Sequence, residues 1–268
     1  MSKNWEGLTR EQSKRLRHRV NVVEKRDRFI IKDRSLEQMA LEEVFDKTTL
    51  MTVYKLLDRG ILKELYGAIS AGKESKIYWG RSPSGRELAV KIYLTTNAEY
   101  RKGMMRYIEG DARFKRVKHG GKPIIYAWAL KEFKNLDRAF RAGVNVPEPI
   151  HIEKNVLIMS FVGENGNPAP LLKDVDLENP SGTYEEIMGQ VRDLWKKSRL
   201  VHGDLSEFNI MIWNGKTVIF DVSQSVLTDN RISSELLERD VNNLNKFFAK
   251  QGVKTLETQE AIRWIQDG

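Results

Sequence analysis

Apolar positions recur along this chain with two periods, and the changes between them lay out its elements. Over residues 35–47 (Leu36, Met39, Ala40, Val44) and 49–59 (Val53, Leu56, Leu57) the spacing is helical, and Gly60 supplies a stop. A helix-turn-helix is an alternative for this pair, but no room is left for a complete winged-helix domain before Leu65. Strand-like runs follow at 64–70, 75–80 and 88–93. A helix is predicted over 124–142, with Trp128, Leu136 and Ala139 at i, i+8 and i+11 and Glu132 at i+4 in the same stripe. Residues 163–180 hold three of the seven prolines and read as a linker. Thr183-Tyr-Glu-Glu186 reads as a capping box opening a helix with Ile187, Val191, Leu194 and Trp195 on one face and Lys196, Lys197 and Arg199 at its end. Val218, Ile219 and Phe220 read as a buried strand, Leu237, Val241, Leu244 and Phe248 as the stripe of a late helix, and 255–266 as a final one.

The chemistry concentrates at Val201-His202-Gly203-Asp204-Leu205-Ser206-Glu207-Phe208-Asn209, followed twelve residues later by Asp221. Moving a γ-phosphate from ATP needs one carboxylate near the acceptor and two oxygen ligands on Mg²⁺. Asp204, Asn209 and Asp221 can supply the three groups, and the offset of five from Asp204 to Asn209 matches H-R-D-L-x-x-x-N. Asp221 stands where the metal-binding Asp of D-F-G would be, but Val222-Ser223-Gln224 follows it. The competing reading is a polar turn in which Asp204 and Asn209 cap backbone groups.

Two upstream features come in the order that phosphoryl transfer requires. Leu88-Ala89-Val90-Lys91-Ile92 resembles the V-A-I-K strand whose Lys holds the α- and β-phosphates. A Lys inside an apolar strand calls for a carboxylate, and Glu132 on the 124–142 stripe is the first candidate, ahead of Glu99 and Glu109. The competing reading leaves Glu132 at the edge of its stripe without a partner. Nineteen residues before Lys91, the turn around Gly72 is placed to cover phosphates through backbone amides with Ser70, Lys73 and Ser75. The run from Gly67 to Lys73 satisfies the first seven places of a P-loop, but Glu74 occupies the eighth and a strand, not a helix, is predicted next, which excludes that motif.

Together G-K-E-S-x-I-Y, A-V-K-I-Y, V-H-G-D-L-S-E-F-N and I-x-D-V-S-Q-S-V resemble the RIO atypical serine protein kinases, most closely the Rio-one subfamily in its archaeal form, over residues 66–248. The resemblance implies an α+β, two-lobed protein-kinase-like fold with a truncated C-terminal lobe and an added N-terminal helical segment. The expected division is a basic arm and helical segment at 1–64, an N-terminal lobe at 65–162 that includes the Glu132 helix, and a C-terminal lobe at 163–268. It implies ATP and Mg²⁺ (or Mn²⁺) as cofactors, with Lys91 on phosphates and paired to Glu132, Asp204 as the catalytic Asp, and Asn209 and Asp221 on the metal. Ser70, Lys73, Glu74 and Ser75 would line the phosphates, while Ser160 and Val162 match the hinge that holds adenine. It further implies a role in maturation of the small ribosomal subunit, in which ATP is hydrolysed through phosphate carried on Asp221. Ser206 departs from conventional kinases, which commonly carry a Lys two places after the catalytic Asp, so one positive charge on the transferred phosphate is missing. Only 47 residues follow Asp221, too few for an activation loop, an A-P-E segment and substrate-holding helices. A small-molecule phosphotransferase resembling aminoglycoside kinases, which shares H-G-D-L-x-x-x-N, and a nucleotide-gated RNA-binding assembly factor stand as alternatives.

Composition adds less. With 268 residues, 40% apolar and 31% charged, the chain can fill two cores. The absence of cysteine excludes disulfides, thiol catalysis and Cys-ligated metals, and four scattered His give no zinc spacing. No apolar run approaches the roughly 18 residues that span a bilayer, and no signal peptide opens the chain, so a cytoplasmic enzyme is expected. The net charge of +8 sits in two segments, 1–34 and 100–122, each carrying +6 on a body of −4. The second, with Tyr100, Tyr107 and Phe114 among its cations, reads as a mobile loop beside the ATP site. Both suit ribosomal RNA of the pre-ribosomal small subunit, the alternative being an ordinary solvated face. A monomer or weak dimer is expected.

Overall fold

A computed structural model describes residues 46–95, 98–114 and 121–267, so the basic arm, the helix expected over 35–47 and the middle of the second basic segment fall outside the described residues. The chain divides into two compact units, 1–97 with 150–161, and 98–149 with 162–268.

In the first unit, helix α1 (Lys47–Asp58) is capped by Asp46, whose Oδ1 accepts from the Thr49 amide at 2.8 Å. Strands β1 (Glu64–Ala71), β2 (Ser75–Arg81), β3 (Glu87–Tyr93), β4 (Pro149–Glu153) and β5 (Val156–Ser160) form one sheet in the order β1-β2-β3-β5-β4. Alternation along β3 sends Leu88, Val90 and Ile92 into a core with Leu50, Val53, Leu56 and Leu57 of α1 and with Val156 and Ile158 of β5. Ala89, Lys91 and Tyr93 point to the opposite face and are buried too, so β3 reads as a continuous apolar run broken only by Lys91. Gly80 permits a close approach, because a Cβ there would lie 2.8 Å from Leu62 Cδ1 and 2.9 Å from the Glu64 carbonyl oxygen. A strand, not a helix, follows Ser75, in agreement with the exclusion of a P-loop.

In the second unit, α2 (Ala98–Ile108) leads to α3 (Gly121–Arg141). The segment expected as a mobile loop is therefore helical over residues 98–108. The reason is an apolar pair one turn apart, Met104 and Ile108, both buried, with Tyr107 tilted against Trp128 of α3 at 5.9 Å between ring centroids. Helix α3 buries Trp128, Leu136 and Ala139 on the anticipated stripe, but also Lys131, Glu132 and Asn135. Residues 98–149 group with 162–268 in one compact unit, within which Lys131 and Asn135 bond the backbone of 222–225.

The presumed linker carries a small hairpin, β6 (Gly163–Glu164) with β7 (Asn167–Pro168), and a single 3-10 turn at Leu172–Asp174. Helix α4 (Pro180–Lys196) starts three residues before the anticipated capping box. Asn179 is its cap, accepting from the Gly182 amide at 3.0 Å, and Pro180 takes the first helical position, where its missing N–H costs nothing. Strands β8 (Leu200–Val201), β9 (Ile210–Trp213), β10 (Lys216–Ile219) and β11 (Val226–Leu227) pair as β8 with β11 and β9 with β10. Helix α5 (Ser233–Lys250) buries Leu237, Val241, Leu244 and Phe248, and α6 (Thr258–Gln266) packs on α4 and α5. Among the described residues no helix is long and apolar enough to cross a membrane.

Candidate active site

The candidate carboxylates lie on one continuous circuit of the second unit. The chain leaves β8, runs through His202 to Asn209, makes the β9–β10 hairpin, passes Asp221 and returns through a 3-10 turn (Val222–Gln224) to β11, which pairs back onto β8. Phe220 is held at both backbone groups: its N–H donates to the Asn209 carbonyl, and its carbonyl accepts from His202 Nε2–H, both at 3.0 Å. These bonds register Asp221 against the loop of Asp204 and Asn209. Asp221 itself adopts a left-handed conformation (φ 57°, ψ 58°), a strained backbone for a residue with a Cβ, and its Oδ1 accepts from Ser223 Oγ at 2.8 Å.

His202 is buried, and removal from solvent depresses its imidazole from 6.5 to about 4, against the bond to Phe220 and the charge of Asp221. The ring is therefore neutral at physiological pH, with its proton on Nε2. Its contribution to stability is present above pH 6.5 and is lost as pH falls from there towards 4, the unfolded chain binding the extra proton. The stability cost of His202→Gln should accordingly shrink by roughly 3 kcal/mol between pH 6.5 and 4 in paired denaturant titrations.

Asp204 is half-exposed, and one carboxylate oxygen accepts from Gln224 Nε2 at 2.9 Å. Burial raises its carboxyl above the usual range and the nearby Asp221 charge adds to this, while Arg239 and the Asn209 amide oppose it. Asn209 Nδ2 donates to the Asp204 carbonyl oxygen at 2.7 Å, which directs the other amide atom, an oxygen acceptor, away from that bond. A donor set of Asn209 and Asp221 oxygens, with no sulfur or imidazole nitrogen, fits a hard cation such as Mg²⁺ completed by phosphate oxygens. Among the described residues no cluster of three or more His, Cys, Asp or Glu could hold a metal by itself.

The loop's conformation comes from α5, which the motif spacing did not reveal. Asp240, buried in the apolar stripe of α5, accepts from the Gly203 amide at 2.7 Å and the Leu205 amide at 2.8 Å. Burial pushes its carboxyl up to about 7, against these two N–H groups and the Arg239 guanidinium. Arg239 donates to the Gly203 carbonyl and Asn243 Nδ2 to the Leu205 carbonyl at 3.1 Å. All four backbone polar groups of Gly203 and Leu205 are thus satisfied by three α5 side chains. The one legible signal was an Asp at a helical position flanked by Leu237 and Val241. Gly203 needs its missing side chain, since φ is +80° and a Cβ would lie 3.2 Å from both the Gln224 carbonyl oxygen and Leu236 Cδ1.

Behind Asp221, Lys131 Nζ donates to the Ser223 and Ser225 carbonyls, and Asn135 Nδ2 to the Val222 and Ser225 carbonyls at 2.9 and 3.0 Å. Burial, helped by the Arg113 charge, lowers the Lys131 ammonium to about 7. These helix α3 residues were not singled out from sequence.

The remaining candidates lie elsewhere in the chain. Lys91, in the first unit, is buried in β3 opposite Ile77 and Leu157, whereas Glu132 is a buried residue of the second unit. Ser70 is the penultimate residue of β1, opposite Ile77, and the Gly72 amide donates to the Ser75 carbonyl at 2.9 Å, closing the turn that holds Lys73 and Glu74. The Glu74 carbonyl accepts from the Leu94 amide at 2.9 Å. Ser160 closes β5 opposite Leu88, and the Val162 carbonyl accepts from the Ala169 amide at 3.0 Å.

Comparison with known proteins places the chain in a family. The RIO domain family model matches residues 76–261. The human serine/threonine-protein kinase RIO1 is 38% identical over 245 residues, covering 90% of this chain but 43% of its own length, so the chain spans under half of that relative. The RIO-type serine/threonine-protein kinase Rio1 of Haloferax volcanii is 39% identical over 227 residues, covering 84% of this chain and 78% of that protein. The crystal structure of the Rio2 kinase-ADP/Mg²⁺-phosphoaspartate complex from Chaetomium thermophilum superposes with a TM-score of 0.65 at 20% identity, covering 98% of this chain and 89% of that one, and so shares its fold. The chain belongs to the RIO family of serine/threonine-protein kinases.

Proposed function

We propose that this chain binds ATP with Mg²⁺ and transfers the γ-phosphoryl group, either to a serine hydroxyl, its own included, or to water by way of Asp221. The observation that carries the reading is the double clamp on Phe220, which ties the Asp204–Asn209 loop to Asp221. Transfer to serine begins with Asp204 taking the hydroxyl proton as the oxygen–phosphorus bond forms and the bond to the ADP oxygen breaks. A carboxyl raised by burial is the stronger base for that task. Transfer to water would begin with attack by an Asp221 oxygen, which forms an acyl-phosphate and releases ADP, and water would then hydrolyse it. The related Rio2 kinase solved with ADP, Mg²⁺ and phosphoaspartate supports this second route.

Asn209 and Asp221 would hold Mg²⁺, which offsets the charge of the phosphates. Lys91 would take the α- and β-phosphates with Glu132 as its counter-charge, beside Ser70, Lys73, Glu74 and Ser75, and the backbone at Ser160 and Val162 would hold adenine. The setting is maturation of the small ribosomal subunit, supported by the two segments of +6 at 1–34 and 100–122 and by the family resemblance.

Mg²⁺-dependent phosphate release and protein-bound label from γ-labelled ATP test this reading. Asp221→Asn should abolish the protein-bound acyl label, which in wild type should be discharged by hydroxylamine. Label that resists hydroxylamine and survives Asp221→Asn would assign the phosphate to a hydroxyl and remove the acyl-phosphate route. A wild type that binds ATP without turnover would favour a nucleotide-gated assembly factor.

A further inference from the structure

Ser206 occupies the place from which conventional kinases commonly extend a lysine to the transferred phosphate, so the loop itself lacks that charge. A cation stands beside the Asp204 carboxylate from α5. Arg239 Nη2 donates to the Gly203 carbonyl and lies 4.0 Å from Asp204 Oδ1. Its side chain remains 40% exposed, so donors are left over after the Gly203 bond. Its Nε is buried without a hydrogen-bond partner among the described residues, so the exposed part of the guanidinium that a phosphoryl group could meet lies at its terminal nitrogens. Asp240, the next residue, anchors the backbone on both sides of Asp204, which sets where the Arg239 side chain leaves the helix. Lys173 is spoken for elsewhere: it bonds Asp174 at 2.7 Å and lies over the Phe208 ring.

We propose that Arg239 is the cation that meets the transferred phosphoryl group, in place of the lysine that Ser206 displaces. This inference rests on the phosphoryl-transfer reading of the site. A planar guanidinium with spare donors can bind phosphoryl oxygens while staying beside the carboxylate that receives the acceptor's proton. The charge spread over the equatorial oxygens as the transferred group leaves ADP would then be met by a group already in place. The bond to the Gly203 carbonyl holds Arg239 beside Asp204.

The test compares wild type with Arg239→Ala and Arg239→Lys, following steady-state Mg²⁺-ATP turnover, ATP affinity by titration and thermal melting, with free guanidinium added at low millimolar concentration. Arg239→Ala should lower kcat on the order of a hundredfold with ATP affinity changed no more than about threefold. Arg239→Lys should retain part of the activity, and free guanidinium should restore turnover to the alanine variant alone. Wild-type kcat in Arg239→Ala would overturn the inference while leaving the phosphoryl-transfer reading intact. So would a kcat loss that neither lysine nor guanidinium repairs, since that marks Arg239 as a clamp on Gly203 only. A wild type without turnover would instead remove the parent reading, and the inference with it. Should Arg239→Ala melt early, Arg239→Lys decides: wild-type melting with partial kcat supports the charge role, and wild-type melting with no kcat overturns it.

Discussion

Asp204→Ala should lower Mg²⁺-ATP turnover by about a thousandfold, within the range that a positioned general base contributes, while ATP still binds. The carboxylate accepts from Gln224 and lies beside Arg239, and its side chain is half-exposed, so truncation strands no buried charge and the fold should survive. Turnover should also fall as pH drops through the Asp204 pKa, because only the ionised form accepts a proton. Burial sets that midpoint above the ordinary carboxylate value. Joint loss of turnover, ATP binding and thermal stability in Asp204→Ala would mark the residue as structural and would return the loop to the polar-turn reading.

The second large effect is expected from a residue that touches no substrate. Asp240→Ala removes the acceptor of the Gly203 and Leu205 amides, leaving two buried N–H groups unsatisfied at about 1–3 kcal/mol each. The total, roughly 2–6 kcal/mol, is a large share of the stability of an ordinary domain. Where the variant folds, Asp204 loses its fixed orientation, so kcat should fall while ATP affinity stays near wild type, a misplacement of about 1 Å sufficing for a hundredfold loss. Asp240→Asn keeps one acceptor oxygen but turns an amide towards the second N–H, and should fall between the two. Equal melting temperatures for wild type and Asp240→Ala would show that water replaces the carboxylate and that the loop holds itself.

The two effects have different origins in the chain. Asp204, Asn209 and Asp221 could be nominated from sequence because the proposed chemistry demands fixed short offsets on one loop and the strand that returns to it. The strands around Lys91, the stripe of α3 and the stripe of α5 were legible because burial on one face imposes a period on the sequence itself. Family membership follows from the same short motifs, and the matched RIO domain agrees with it.

Other features depended on partners far away in sequence. Thr183 had the form of a cap, yet Asn179 and Pro180 start α4 earlier. The basic segment looked like a loop because its cations dominate its composition, but Met104 and Ile108 have a buried surface to meet, and residues 98–108 fold as a helix. Asp240 lies 37 residues from the Gly203 amide it binds, and Lys131 lies 92 residues from the Ser223 carbonyl. A buried polar side chain is stable only where a complementary group waits, and that group is chosen by packing, not by spacing. The sequence by itself therefore determined which atoms could do the chemistry. Tertiary structure alone decided which side chains hold the loop of Asp204 in place, because those bonds join elements that only folding brings together.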